Sequence, residues 1–121
     1  MHMKTVVIGA SPNPSRYSFI ASNMLQEYDH EVIPLGIREG KVAGLQILTD
    51  WPENIDEVDT VTMYVGAKRQ PELYAYILNL KPRRIIFNPG TENTELSALA
   101  ALKGVESVDA CTLVMLRTQQ Y

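Results

Sequence analysis

A single cysteine, Cys111, among 121 residues excludes an internal disulfide framework and fits a reducing compartment such as the cytosol. No apolar stretch approaches the roughly 20 residues that a membrane-spanning helix needs. No basic-then-apolar leader opens the chain. Positive charge is in deficit: 11 Lys and Arg against 14 Asp and Glu leave a formal net charge of −3. Bulk attraction to nucleic acid or to an acidic membrane is therefore excluded as a basis for function, and any polyanionic ligand must be held by locally placed cations. Repeats, low-complexity tracts and linkers are also missing, which leaves one domain over residues 1–121. What is present is a globular composition, 45% hydrophobic and 21% charged, in a chain long enough to bury a layered core.

Apolar runs alternate with helix-spaced patterns along the whole length. Lys4 to Ala10 reads as a first strand, with the run Val6-Val7-Ile8 ending at Gly9-Ala10-Ser11. Tyr17, Ile20, Ala21, Met24, Leu25 and Tyr28 follow at i, i+3, i+4, i+7, i+8 and i+11, one stripe of a helix whose start is either the cap-and-proline pair Asn13-Pro14 or a point slipped towards Ser18. Glu31 to Leu35 is a second strand. A Gly-rich, basic loop from Ile37 to Gly44 and a brief extended piece from Leu45 to Leu48 come next, then a turn at Trp51 to Glu57. Further strands are predicted at Thr60 to Val65, Arg84 to Phe87 and Val105 to Asp109. A full helix is predicted around Leu73, Tyr74, Ile77 and Leu78, ending near Lys81-Pro82, and another at Thr91 to Lys103, with Glu92 and Glu95 in its first turn and Gly104 as its stop. Beyond Cys111 a short helix and an extended segment are equally compatible with the residues.

Strands alternating with helices imply right-handed crossovers and a mainly parallel, doubly wound α/β sheet covered on both faces, a Rossmann-like three-layer α/β/α sandwich. In such sheets a ligand binds outside the carboxyl ends of the strands, where strand order reverses. Those ends read Gly9-Ala10-Ser11, Pro34-Leu35-Gly36, Tyr64-Val65-Gly66 and Asn88-Pro89-Gly90. Glycine or proline ends many strands for purely local reasons, but small residues at all four ends of one rim allow a ligand close to the backbone. The first of them, strand then small-residue turn then helix start, places amide N–H groups and a partial positive charge where an anion can sit.

The nucleotide is narrowed by what that rim does not contain. G-x-G-x-x-G is absent, and strand 2 ends without the carboxylate that would grip an adenosine ribose, so NAD is disfavoured. The phosphate loop G-x-x-x-x-G-K-[ST] is absent too. The residues near the rim are basic: Arg16, Arg38, Lys41, Lys68 and Arg69. Coenzyme A suits such a layout, with a diphosphate for the first turn and a 3′-phosphate that a cation would favour and a carboxylate would repel.

Gly9-Ala10-Ser11 with Pro14, Arg16 and Ser18, then Val32 to Gly36, Tyr64-Val65 and Asn88-Pro89-Gly90, resemble the small stand-alone CoA-binding proteins. These share their fold with the N-terminal CoA-binding domain of the succinyl-CoA synthetase alpha subunit. The resemblance covers nearly the whole chain, with Leu35-Gly36-Ile37 standing where the family usually has Val-Asn-Pro. It implies CoA or acyl-CoA bound across the strand ends. Gly9, Ala10, Ser11, Pro14, Arg16 and Ser18 would then hold the diphosphate. Pro34, Leu35, Gly36, Arg38 and Lys41 would flank the adenosine and its phosphate, and Tyr64, Val65, Gly66, Asn88, Pro89 and Gly90 would line the path of the pantetheine arm.

No catalytic set assembles from the sequence. The related synthetases phosphorylate a histidine of a second domain that this chain lacks, and His2 and His30 fall at the amino end of the predicted sheet. No Ser/His/Asp arrangement or metal-ligand cluster can be built. Asp56, Glu57 and Asp59 cluster at the wrong sheet end, while Glu92 is close enough to the Asn88 to Gly90 loop to be a minor ligand candidate. Cys111 follows the last predicted strand, where a thiol could form a mixed disulfide with CoA, although a single cysteine more often serves as a small buried hydrophobe. The expectation is a CoA- or acyl-CoA-binding module without catalytic groups of its own: a carrier, sensor or accessory partner. The alternatives are a subunit of an acyl-CoA ligase-like enzyme completed by a partner chain, or a binder of another adenine nucleotide such as NAD. A homodimer is compatible with each.

Overall fold

Residues 5–10 form the first strand, β1 (Thr5–Ala10), in the computed structural model, which describes residues 2–121. It is followed by α1 (Tyr17–Glu27), β2 (Val32–Gly36), a hairpin of two short strands β3 (Lys41–Val42) and β4 (Leu45–Gln46), and β5 (Thr60–Met63). Then come α2 (Tyr74–Asn79), β6 (Arg84–Phe87), α3 (Thr94–Leu102), β7 (Glu106–Asp109) and α4 (Thr112–Arg117). The main sheet runs β2-β1-β5-β6-β7 with every neighbouring pair parallel. It is the Rossmann-like α/β arrangement expected from the alternation of elements. Strand order reverses between β1 and β5, which places the crevice between their carboxyl ends.

The strands are apolar on both faces because both are covered. On one face Val6, Ile8, Val61, Met63, Ile85 and Phe87 pack with Ile77 and Leu80 from the α2 region and with Leu96 and Ala100 of α3. On the other, Val7 and Val32 pack with Leu25 of α1, Leu116 of α4 and Val42 of the hairpin. This second face carries a polar stripe near its centre. Asn88 donates through Nδ2 to the Thr62 hydroxyl at 2.7 Å and to the Met63 carbonyl at 2.9 Å, while its Oδ1 accepts the Thr112 amide at 2.9 Å. That one side chain ties the start of α4 to the ends of β5 and β6.

Several boundaries differ from the sequence expectation. Asn13 does not cap α1: its Oδ1 accepts the amide and hydroxyl of Ser15, and the helix begins at Tyr17 after Arg16 with no side-chain cap. The buried face of α1 is Ser18, Ala21, Ser22 and Leu25, with Tyr17 and Tyr28 left exposed, because small residues let the helix lie close to the sheet. The expected full helix around Leu73 to Leu78 is shorter. Two tight turns, Ala67–Arg69 and Pro71–Leu73, precede α2, and Lys81 at φ 53° stops the chain before Pro82. Helix α3 starts three residues later than expected, with Asn93 Oδ1 accepting the Leu96 amide at 3.0 Å. Glu92 therefore lies outside the helix and accepts the Gly90 amide instead. The Gly-rich loop closes as the β3–β4 hairpin, and the ambiguous tail is α4.

Candidate functional site

A cavity of about 750 Å³ opens at the carboxyl rim, where β1 and β5 part. Its floor is the end of β1. Gly9 has φ +100°, and a β-carbon there would stand 3.1 Å from the Tyr64 backbone, so only glycine lets the two strand ends approach this closely. At Gly36 a β-carbon would lie 2.4 Å from the Ala10 carbonyl oxygen, which excludes a side chain at the end of β2. The β1 ladder is irregular between Ile8 and Ala10, and this bulge turns the chain out of the sheet towards α1.

The loop from Pro12 to Arg16 bonds its own amides. Ser11 Oγ accepts the Asn13 amide, and the Asn13 carbonyl accepts that of Arg16. The start of α1 is left unsatisfied. Among the described residues the amides of Tyr17 and Ser18 have no hydrogen-bond acceptor, there is no capping side chain, and no acid stands in the first turn. Arg16, Tyr17 and Ser18 all line the cavity. Both the helix dipole and two open donors thus favour an anion at this point.

Four cations line the same cavity, Arg16, Arg38, Lys68 and Arg69, against one carboxylate, Glu72. Among the described residues the only salt bridge is Arg83 to Asp59, at the far end of the sheet, so none of the four is ion-paired. A chain with net charge −3 therefore concentrates unpaired positive charge in one crevice. Tyr64 forms part of the wall, and burial pushes its hydroxyl up to about 12, so it stays neutral at physiological pH. Trp51 closes the side next to Gly36, donating its indole N–H to the Gly36 carbonyl at 3.0 Å and packing at a tilt on Tyr76.

A family model described as a CoA binding domain matches residues 3–117. The chain belongs to that CoA-binding-domain family. A search of curated proteins found no match. Among solved structures, the chain is similar to an uncharacterized protein at 45% identity and TM-score 0.97, covering 100% of this chain and 99% of the other. It is also similar to a hypothetical protein from Pyrococcus horikoshii OT3, at 25% identity and TM-score 0.82 over 95% of this chain and 82% of that one. A conserved hypothetical protein from Pyrococcus furiosus matches at 26% identity and TM-score 0.77 over 93% and 97% of the two chains.

The residues present fit the group that the family's description implies. Unpaired amides, an unpaired guanidinium and a crevice within the range of about 300–1,000 Å³ typical of cofactor sites meet the needs of a diphosphate-bearing nucleotide. Of the residues singled out in the sequence, Gly9, Ala10, Ser11, Arg16, Ser18, Gly36, Arg38, Tyr64, Val65, Gly66, Pro89 and Gly90 meet at this cavity. Five do not line it. Pro34 and Leu35 are buried inside β2, with Leu35 in the core. Lys41 is exposed on β3, Pro14 is exposed beside the first loop, and Asn88 is occupied by Thr62, Met63 and Thr112. Cys111 lies before α4, partly buried and outside the lining. Glu92 stays outside it as well.

Sequence reasoning missed Gln70. Its side chain is fully buried and donates to the Val65 and Thr91 carbonyls, each at 2.8 Å, while its oxygen accepts from Asn93. One amide thereby fixes the loops after β5 and β6 relative to each other. Trp51, the single tryptophan, carried the one available signal for the missing wall, a large aromatic in a segment with no periodicity.

Proposed function

We propose that this chain binds coenzyme A or an acyl-CoA across the carboxyl ends of β1, β2, β5 and β6. It would serve as a carrier, sensor or accessory subunit with no catalytic group of its own. The observation that carries this reading is the uncapped start of α1, with two open amides and Arg16 directed at a cavity in a CoA-binding domain. In this reading the diphosphate sits against Gly9, Ser11, Arg16, Tyr17 and Ser18. The adenosine and its 3′-phosphate lie towards Gly36, Arg38 and Trp51. The pantetheine arm follows Val65, Gly66, Pro89 and Gly90. Pro34, Leu35 and Asn88 act as the scaffold behind these contacts, and Asn88 is well suited to that because its amide is already satisfied on both sides.

NAD fits less well. Arg38 is the charged residue lining the cavity just after β2, and no carboxylate there can grip a ribose hydroxyl. Titration calorimetry with CoA, dephospho-CoA and NAD tests the assignment. The expected order of affinity is CoA, then dephospho-CoA, then NAD. NAD binding as tightly as CoA would overturn it.

A further inference from the structure

The helix-side contacts leave two of the cavity's cations without a role. Lys68 and Arg69 occupy the tight turn directly after Gly66. From the sheet, α1 leaves β1 over the face that contains Leu25, whereas the chain after β5 leaves over the opposite face, where Leu73 and Ile77 pack. The two connections diverge at the point where β1 and β5 are adjacent. Arg16, Tyr17 and Ser18 therefore stand on one lip of the crevice, and Lys68 and Arg69 on the other.

The turn that bears these cations is held firmly. The Arg69 amide donates to the Gly66 carbonyl at 3.0 Å, and that of Gln70 donates to the Ala67 carbonyl at 3.2 Å. The next side chain, Gln70, anchors the segment to Val65 and Thr91. A rigid backbone thus presents two long, exposed, unpaired cationic side chains to the cavity. We propose that Lys68 and Arg69 grip the ligand's diphosphate from the side opposite α1, so that the diphosphate is clamped between two lips rather than cradled on one. This proposal rests on the CoA reading above. The diphosphate is favoured over the 3′-phosphate as their target because Lys68 and Arg69 follow β5, which pairs directly with β1 and so faces the Gly9 to Ser18 bend, while Gly36 and Arg38 follow β2 on the far side of β1. Charge-assisted contacts of this kind hold without a fixed bidentate geometry when the donors are on flexible stems.

Calorimetry on the wild-type chain and on the double variant Lys68→Ala/Arg69→Ala, with CoA, dephospho-CoA and 3′,5′-ADP as probes, tests the clamp. Lys103→Ala, which removes a cation at the opposite end of the sheet, is the charge control, and Lys68→Arg/Arg69→Lys keeps the charge in place. The expected result is a loss of about tenfold for CoA and dephospho-CoA alike, a much smaller loss for 3′,5′-ADP, which has no diphosphate, and retention in the charge-keeping pair. A loss seen with CoA and absent with dephospho-CoA would overturn the proposal in favour of 3′-phosphate recognition. A double variant no weaker than Lys103→Ala would overturn it in favour of a solvated surface. Wild-type protein that binds none of the probes would instead remove the CoA reading itself. An unchanged melting curve for each variant establishes that the fold is intact.

Discussion

At the amino end of the sheet, Arg83 is ion-paired to Asp59 at 2.9 Å. Arg84 is almost wholly buried, donates to the Thr60 hydroxyl and rests its guanidinium 4.5 Å from the centre of the Tyr121 ring. Tyr121 in turn shares a hydrogen bond with Thr5 and packs on His30, whose Nδ1 accepts the Met3 amide. At the carboxyl end, Arg16, Arg38, Lys68 and Arg69 face a cavity without an ion pair, beside two amides without acceptors. Both ends carry several cations. At the amino end Arg83 and Arg84 are spent in holding the fold together, and at the carboxyl end the four cations of the cavity remain available. Open amides and unpaired cations are thus gathered where strand order reverses, the place at which sheets of this kind bind ligands.

Substitutions should separate the two ends. The largest effect is expected for Arg84→Ala, which removes a buried guanidinium, takes the donor from the Thr60 hydroxyl (itself still bonded to Asp59) and strips the Tyr121 face of its cation. Stability should fall by about 3 kcal/mol in denaturant unfolding, with CoA affinity unchanged because the sites are far apart. Arg16→Ala should do the converse, weakening CoA binding by about 1.5–3 kcal/mol in calorimetry at nearly constant stability. An unchanged affinity would remove Arg16 from the site. Gln70→Ala should affect both quantities. A buried and a half-buried carbonyl lose their donor, at a cost of about 1.5 kcal/mol of stability, and CoA affinity should fall because the loops after β5 and β6 lose their tether.

The smallest effect is a pH dependence at the amino end. Burial, with the nearby positive charge, lowers the pKa of His30 from its ordinary 6.5. The folded state therefore favours the neutral ring, which accepts from Met3. Its contribution is complete above pH 6.5 and declines as pH falls from there through the lowered folded value. A shallow loss of melting temperature on acidification is expected, and it should be absent in His30→Gln. CoA affinity should not follow the same curve.

What could be read in the sequence and what could not divide along similar physical lines. The first crossover was legible because Val6-Val7-Ile8 must be buried and the small residues Gly9-Ala10-Ser11 end the apolar run without filling a crevice. The parallel sheet followed from the alternation of such runs with helical spacing. Of the two starts open for α1 the later one, near Ser18, is the one found, because Asn13, a good capping residue, finds its partner in Ser15 two residues on. The buried face of that helix was misjudged because Ser18 and Ser22 are polar by type and buried by size, Ser22 bonding back to the Ser18 carbonyl. Asn88, named as a ligand contact through the family resemblance, instead braces α4, a role that depends on Thr112 twenty-four residues away. Gln70 left no local trace at all: one partner, Val65, is in its own loop, but the other, Thr91, is in the next loop 21 residues away, and only the folded chain brings them together.

A crystal structure of the protein with coenzyme A tests the proposed site most directly. The diphosphate is expected within hydrogen-bond reach of the Tyr17 and Ser18 amides, between the ends of β1 and β5, with Arg16 against it. Coenzyme A bound elsewhere on the surface, or a Gly9 to Ser18 bend filled by its own side chains, would contradict the assignment.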